Sequence, residues 1–340
     1  MQAPASPAKP LPVTLLTGFL GSGKTTLLAR LLAAPELADT AVILNEFGEV
    51  SIDHLVVAQL AQNIVELRNG CLCCTIRGDL ALTLHDLLYR RECGELAPFT
   101  RVIIETSGLA DPVPLAHTLM ETPALKKAVV LEDIVTVVDG MHAVATVPVH
   151  ETAADQVAMA DLLLVSKIDL ATPAQLAHAR QLMAAVNPGA EVAEMANGEV
   201  PPALVVGQGR FNPARRADVM AHWLMRHAEP HQNQVHPHDH GLNYMSHVCR
   251  HPAPLSLAGT SEFLGRVVDE LGGNLLRIKG IAGFREKGGA PAVIHAVQGK
   301  CHPLQWMEAW PDQDHESRIV FIGRQLDVEG LERQFRALCC

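Results

Sequence analysis

Between Leu11 and about Pro201 the chain alternates short apolar runs with segments of helical periodicity. The runs Leu11 to Thr17, Ala41 to Asn45, Arg101 to Glu105, Ile134 to Val138, Asp161 to Ser166 and Ala190 to Glu194 read as strands. Thr25 to Leu32, Ile76 to Arg90 and Pro173 to Val186 read as helices. Strand and helix in regular succession predict an α/β fold, a doubly wound and mostly parallel sheet covered on both faces. Past Pro201 the pattern breaks: prolines, polar residues and His231, His236, His238, His240, His247 and His251 accumulate up to Pro254, as in a linker. Strands are then expected at Tyr244 to Cys249, Leu275 to Ala282, Ala292 to Val297 and Arg318 to Ile322, with helices at Thr260 to Leu271 and Asp327 to Leu338. The division that follows is a disordered tail over 1–10, the sheet domain over 11–205, a His-rich linker over 206–242 and a smaller α+β domain over 243–340.

Composition narrows the class. The 340 residues are 48% hydrophobic and 19% charged, the balance of a globular chain. A formal charge of −10 with no basic run argues against a nucleic-acid surface. Residues 1–10 lack the apolar core of a signal peptide, and no long uncharged apolar stretch follows, so neither secretion nor a membrane is expected and the cytoplasm is. The eight cysteines would be reduced there, which favours metal binding over disulfides. Cys339-Cys340 reads as an exposed thiol pair.

The first expected strand runs into Gly18-Phe19-Leu20-Gly21-Ser22-Gly23-Lys24-Thr25-Thr26, which fits G-x-x-x-x-G-K-T, and an apolar helix follows. Glycines let such a loop turn successive backbone N–H groups towards phosphates, and the helix N-terminus adds to the attraction. Gly18, Gly21, Ser22, Gly23, Lys24, Thr25 and Thr26 are therefore the expected phosphate site, with Lys24 on the β and γ oxygens and the Thr25 hydroxyl on Mg²⁺. The strand Val102-Ile103-Ile104 ends in Glu105-Thr106-Ser107-Gly108. Glu105 is placed to support Mg²⁺, and the Gly108 N–H to sense the γ-phosphate. Asn45-Glu46-Phe47-Gly48-Glu49 follows the second strand, where a carboxylate such as Glu46 can position the metal or the attacking water.

Ser166-Lys167-Ile168-Asp169 matches the guanine-reading N-K-x-D pattern except at its first position. A carboxylate at Asp169 can accept from both N1–H and the 2-amino group of guanine, while adenine would leave it unpaired. This points to GTP. Ser166 offers a shorter hydroxyl in place of an amide, which cannot bridge base and loop as an asparagine would. Cys71, Cys73 and Cys74, in Gly70-Cys71-Leu72-Cys73-Cys74-Thr75, place three thiols within four residues, a soft donor set that suits Zn²⁺ and leaves one position open. His236, His238 and His240 either add a metal-acquiring stretch or are simply hydrated.

Taken together, GFLGSGKTT, NEFGE, GCLCC, ETSGLADP and SKID resemble the CobW family of P-loop GTPases. Leu276-Arg277-Ile278-Lys279-Gly280, Gln298-Gly299, Trp306 and Arg318 to Gly323 resemble that family's C-terminal domain. The resemblance implies GTP hydrolysis coupled to delivery of zinc to a client metalloprotein, or in some branches of Co²⁺. With no cis arginine finger evident in the sequence, turnover is expected to be slow until a homodimer or the client completes the site. An iron- or cobalt-specific enzyme activator, a metal-storage module and a P-loop small-molecule kinase remain open alternatives.

Overall fold

The computed structural model describes residues 10–45, 63–66, 75–211, 217–226 and 244–339. The first unit is a seven-stranded sheet, every pairing in it parallel. Its strands are β1 (Leu11–Thr17), β2 (Thr40–Asn45), β3 (Asn63–Glu66), β4 (Arg101–Thr106), β5 (Val129–Asp139), β6 (Leu162–Ser166) and β7 (Glu191–Glu194), in the spatial order β3-β2-β4-β1-β5-β6-β7. Helices α1 (Lys24–Leu32), α2 (Thr75–Glu92), α3 (Pro112–Glu121), α4 (Glu151–Met159) and α5 (Pro173–Val186) connect them. Two separate apolar clusters lie against this sheet, one containing Leu15, Ile104, Val113 and Val157, the other Leu16, Leu27, Leu28 and Ile103. Neighbouring residues of one strand thus enter different clusters, as a sheet covered on both faces requires. β1 sits between β4 and β5, where the winding reverses, and ligands of such sheets bind at that point beyond the strands' carboxyl ends.

Local chemistry explains the helix starts. Asp111 accepts from the Val113 N–H at 2.9 Å ahead of α3, and Thr172 and Gln175 form a capping box ahead of α5. α1 starts differently: Gly23 stands at its N-cap in the left-handed region with no side-chain cap. With no side chain capping it, this helix start is suited to an anion.

The second unit is a six-stranded antiparallel sheet built from β8 (Tyr244–His251), β9 (Leu275–Phe284), β10 (Ala290–Val297), β11 (Lys300–Cys301), β12 (Gln305–Trp306) and β13 (Ser317–Arg324). Helices α7 (Leu257–Leu271) and α8 (Val328–Cys339) cover one face, with Phe263 packed against Phe321 and Phe335 at ring separations of 5.7 and 5.5 Å. The other face is buried too. Ile319 and Phe321 belong to the helix side, while Val320 and Ile322 join the core of the first unit.

The span read as a linker is not uniform. Arg210 and Phe211 are buried, and α6 (Ala217–Arg226) puts Met220, Trp223 and Leu224 into the first core. A helix-period stripe at those three positions outweighs the prolines and histidines around it. His247 and His251 lie on β8, whereas His236, His238 and His240 lie outside the described residues. Cys339 corrects the reading of an exposed thiol pair, because it is fully buried in the second core; Cys340 lies outside the described residues.

Buried charges clamp the two units together at the amino ends of β5 and β6. Asp161, fully buried, pairs with Arg277 and lies 3.1 Å from Lys279 Nζ, while its other oxygen accepts the Ile134 N–H at 3.0 Å. Burial alone would raise the Asp161 carboxyl, but Arg277 and Lys279 outweigh it and hold it below the ordinary range. Asp133 accepts from the Arg210 and Gly209 N–H groups at 2.9 and 3.1 Å, yet burial, reinforced by Asp161, pushes its carboxyl up to about 7. The unfolded chain releases that proton near the ordinary aspartate value of 3.8, so between these pH values the folded state holds more protons and its stability falls as pH rises. Asp133→Asn should remove this component, whose slope is at most about 1.4 kcal/mol per pH unit. Urea midpoints of wild type and variant at pH 5 and pH 7 measure the difference.

Candidate nucleotide site

The carboxyl ends of β1, β4, β5 and β6 gather the expected phosphate and base residues. Gly18, Gly21 and Gly23 take φ values of 144°, 69° and 100°, so the loop between β1 and α1 uses backbone that side-chain-bearing residues avoid. A Cβ on Gly18 would lie 2.3 Å from the Val137 carbonyl of β5, which holds the loop against the sheet. Lys24 Nζ donates to the Gly18 and Phe19 carbonyls at 2.9 and 3.1 Å, arching back over the loop. Ser22 Oγ is buried with no hydrogen-bond partner among the described residues, a donor available to a phosphate oxygen. Thr26 is exposed at the start of α1.

Thr25 and Glu105 meet across the site: the threonine hydroxyl donates to Glu105 Oε1 at 2.7 Å, from two elements eighty positions apart in sequence. The buried Glu105 carboxylate and this hydroxyl are hard oxygen donors that fit Mg²⁺. Gly108 presses on the phosphate loop. A Cβ there would come within 2.7 Å of the Leu20 backbone nitrogen, so only glycine lets the two loops touch. Gln156 of α4 supports the loop from behind, its amide donating to the Gly108 and Ala110 carbonyls at 3.2 and 3.1 Å.

The turn expected to read the base adjoins the same loop. Ser166 Oγ donates to the Ser22 carbonyl at 2.6 Å. The shorter side chain therefore does reach the phosphate loop, because β6 ends directly beside it; the reach that it lacks is a second arm for a base. Lys167 adopts a left-handed backbone, φ 56°, and its Nζ lies 2.7 Å from Asp139 Oδ2. Asp139 also accepts from the Met141 N–H at 2.9 Å and contacts His142. Burial would raise the Asp139 carboxyl, but hydrogen bonds from Lys167, His142 and Met141 together hold it below the usual range, so it stays ionised. A cavity of about 350 Å³ opens between these groups, with Phe19, Gly21, Asp139, His142, Gln156 and Lys167 in its wall. Asp169 stands exposed outside that wall.

Glu46 and the thiols Cys71, Cys73 and Cys74 lie outside the described residues. Two contributors escaped the sequence reading. Asp139 closes an apolar strand just as Glu105 does, and that parallel could have marked it. Gln156 sits inside a nine-residue helix whose sequence carries no such signal.

Strand, glycine loop and helix at the winding reversal, with a hydroxyl and a carboxylate facing each other beyond it, define a P-loop nucleotide-binding protein. The family model for the CobW/HypB/UreG nucleotide-binding domain matches residues 12–194, and that for the cobalamin synthesis protein CobW C-terminal domain matches 244–339. The chain belongs to the CobW/HypB/UreG family. It is similar to the zinc chaperone YjiA of Escherichia coli, 32% identical over 97% of this chain and 99% of the relative. It is also similar to the zinc chaperone CobW of Pseudomonas aeruginosa, 31% identical over 96% and 91%. The crystal structure of Zn(II)-bound YjiA GTPase from E. coli superimposes with a TM-score of 0.75 at 27% identity, covering 97% of this chain and 99% of that one. Among the described residues no helix is long and apolar enough to cross a membrane.

Proposed function

We propose that this chain is a GTP-hydrolysing metallochaperone that couples its nucleotide state to the binding and transfer of zinc. The observation that carries the reading is the contact between the two loops that would face Mg²⁺ and the γ-phosphate, Thr25 on Glu105 and Gly108 on Leu20. The near full-length similarity to proteins named zinc chaperones supports zinc as the cargo.

In this reading the loop amides and Lys24 hold the β- and γ-phosphates, and Lys24 leaves the Gly18 and Phe19 carbonyls to do so. Thr25 and Glu105 would hold Mg²⁺, which when bound neutralises charge on the phosphate oxygens. Asp169 accepts from the guanine edge. Lys167, fixed by Asp139, shapes the turn beneath it. Glu46 orients the attacking water, and Gly108 offers its N–H to the γ-phosphate and loses that contact on hydrolysis. Cys71, Cys73 and Cys74 are the thiols we assign to zinc, and a client metalloprotein is the recipient.

Gly108→Ala tests the γ-phosphate arm. The added methyl meets backbone atoms of Leu20 at 2.7 to 2.8 Å, and backbone gives way less readily than a side-chain tip. Displacing the loop by even part of an ångström should slow GTP hydrolysis by roughly 10- to 100-fold. GDP affinity should change far less, and steady-state turnover beside a GDP titration checks the split.

The coupling itself is tested by titrating zinc against a chelator with GTP, with GDP and without nucleotide. Linkage requires that whatever factor GTP imposes on zinc affinity, zinc imposes on GTP affinity, and such factors commonly run from about 5 to 150. Equal zinc dissociation constants in all three states would overturn the proposal.

A further inference from the structure

The second unit carries its own convergence of nitrogen, sulfur and oxygen donors, well separated in sequence from the thiols at 71–74. His247 and Cys249 are two apart on β8, so both side chains leave the strand on one face. That face is the one covered by α8, which brings Glu332 to meet them. His247 Nε2 lies 2.7 Å from Glu332 Oε1, and the imidazole nitrogen, the Cys249 sulfur and the carboxylate oxygen all lie within 4.8 Å of one another. Cys249 is fully buried, while the His247 and Glu332 side chains keep 17% and 26% of their exposure, which leaves a path from solvent to the three donors. Arg336 stands 3.4 Å from the second Glu332 oxygen, steadying the carboxylate while leaving Oε1 to the group.

We propose that His247, Cys249 and Glu332 bind a borderline divalent cation of the zinc class, at a site additional to the cysteine cluster. Tetrahedral zinc with bonds of about 2.0 to 2.3 Å needs donors roughly 3.3 to 3.8 Å apart. The group reaches that spacing by small rotations: the sulfur moves in by about 1 Å or less, and the imidazole and carboxylate part by a similar amount. The donor set selects the ion. A thiolate disfavours Mg²⁺ and Ca²⁺, a carboxylate disfavours Cu(I), and the mixture suits zinc. Binding expels the thiol proton, His247 ligates as the neutral imidazole and Glu332 as the carboxylate, and no redox change is involved. Three protein ligands leave a fourth position to water or to an incoming ligand from another protein. An ion pair lying over a buried thiol would show the same apo geometry, and metal binding separates the two.

The test uses the full-length chain without nucleotide, with Cys71, Cys73 and Cys74 changed to serine and His236, His238 and His240 to alanine. Cobalt(II) is the probe, because a thiolate on tetrahedral cobalt gives a near-ultraviolet charge-transfer band and intense visible bands. One equivalent should bind with that signature, zinc should displace it, and zinc should raise the thermal midpoint. Cys249→Ser should abolish the charge-transfer band. His247→Gln, at a part-exposed position that tolerates change, should weaken cobalt binding by roughly tenfold or more and leave GTP hydrolysis unaltered. No charge-transfer band in the parent, or a band unchanged by Cys249→Ser and by His247→Gln, would overturn the proposal. Because the measurement involves neither nucleotide nor the cluster at 71–74, its failure leaves the nucleotide-linked reading standing.

Discussion

Lys24→Ala should cut GTP hydrolysis by about 10²- to 10³-fold or more, the scale set by removing one positioned hydrogen-bond donor from a developing oxyanion. Lys24 is 8% exposed and its ammonium already lies over the loop, so the charge is poised without any rearrangement of the backbone. The Gly18 and Phe19 carbonyls that it meets belong to the same loop, and a phosphate can replace them. The folded state should therefore lose little, on the order of 1 kcal/mol. Lys24→Arg should not restore turnover, because a planar fork cannot occupy the place of a compact ammonium. Single-turnover hydrolysis with an unfolding curve for each variant makes the comparison; an alanine variant within tenfold of wild type would remove Lys24 from the site.

Asp161→Ala should destabilise the protein by about 3–5 kcal/mol, the usual cost of stranding buried charges. The change leaves the Arg277 guanidinium and Lys279 ammonium buried without their shared carboxylate, and the Ile134 N–H without its acceptor. Replacing Asp161, Arg277 and Lys279 together by leucine and two methionines should cost less than the single substitution, since apolar groups of similar volume leave no charge stranded. Chemical denaturation of the three proteins tests the ordering. A single variant as stable as wild type would show that the clamp contributes nothing.

The sheet of the first unit was legible because its strands are apolar along their length and its helices carry a buried stripe, so α5 and the ends of β1 fall where periodicity placed them. β3, with four residues, is too short for a periodic signal. α4 was missed for another reason: its alanines and its buried Asp155 and Gln156 mix polar and apolar positions on one helix. Glu105, Lys24 and Thr25 were readable because spacing along a single segment fixes them. Asp139 with Lys167, and Gln156 behind Gly108, depend on which strand ends lie side by side, which local patterns do not encode. The charges Arg277 and Lys279 lie inside an apolar strand, but their partner Asp161 is 116 positions away from the first of them. The group formed by His247 and Cys249 of β8 with Glu332 of α8 escaped for the same reason, its histidine having been grouped with the linker.

α4 touches both halves of the molecule through adjacent residues. Gln156 holds the Gly108 loop, and Asp155 accepts from Arg324 of β13 at 2.6 and 2.7 Å and from the Tyr244 hydroxyl, at the head of β8, at 3.0 Å. A loop that shifts when a phosphate departs must either break the Gln156 bonds or drag the helix, and a dragged helix pulls on the first residue of the strand that bears His247 and Cys249. One helix thus joins the loop beyond β4 to the head of β8 in the other sheet, through two consecutive side chains.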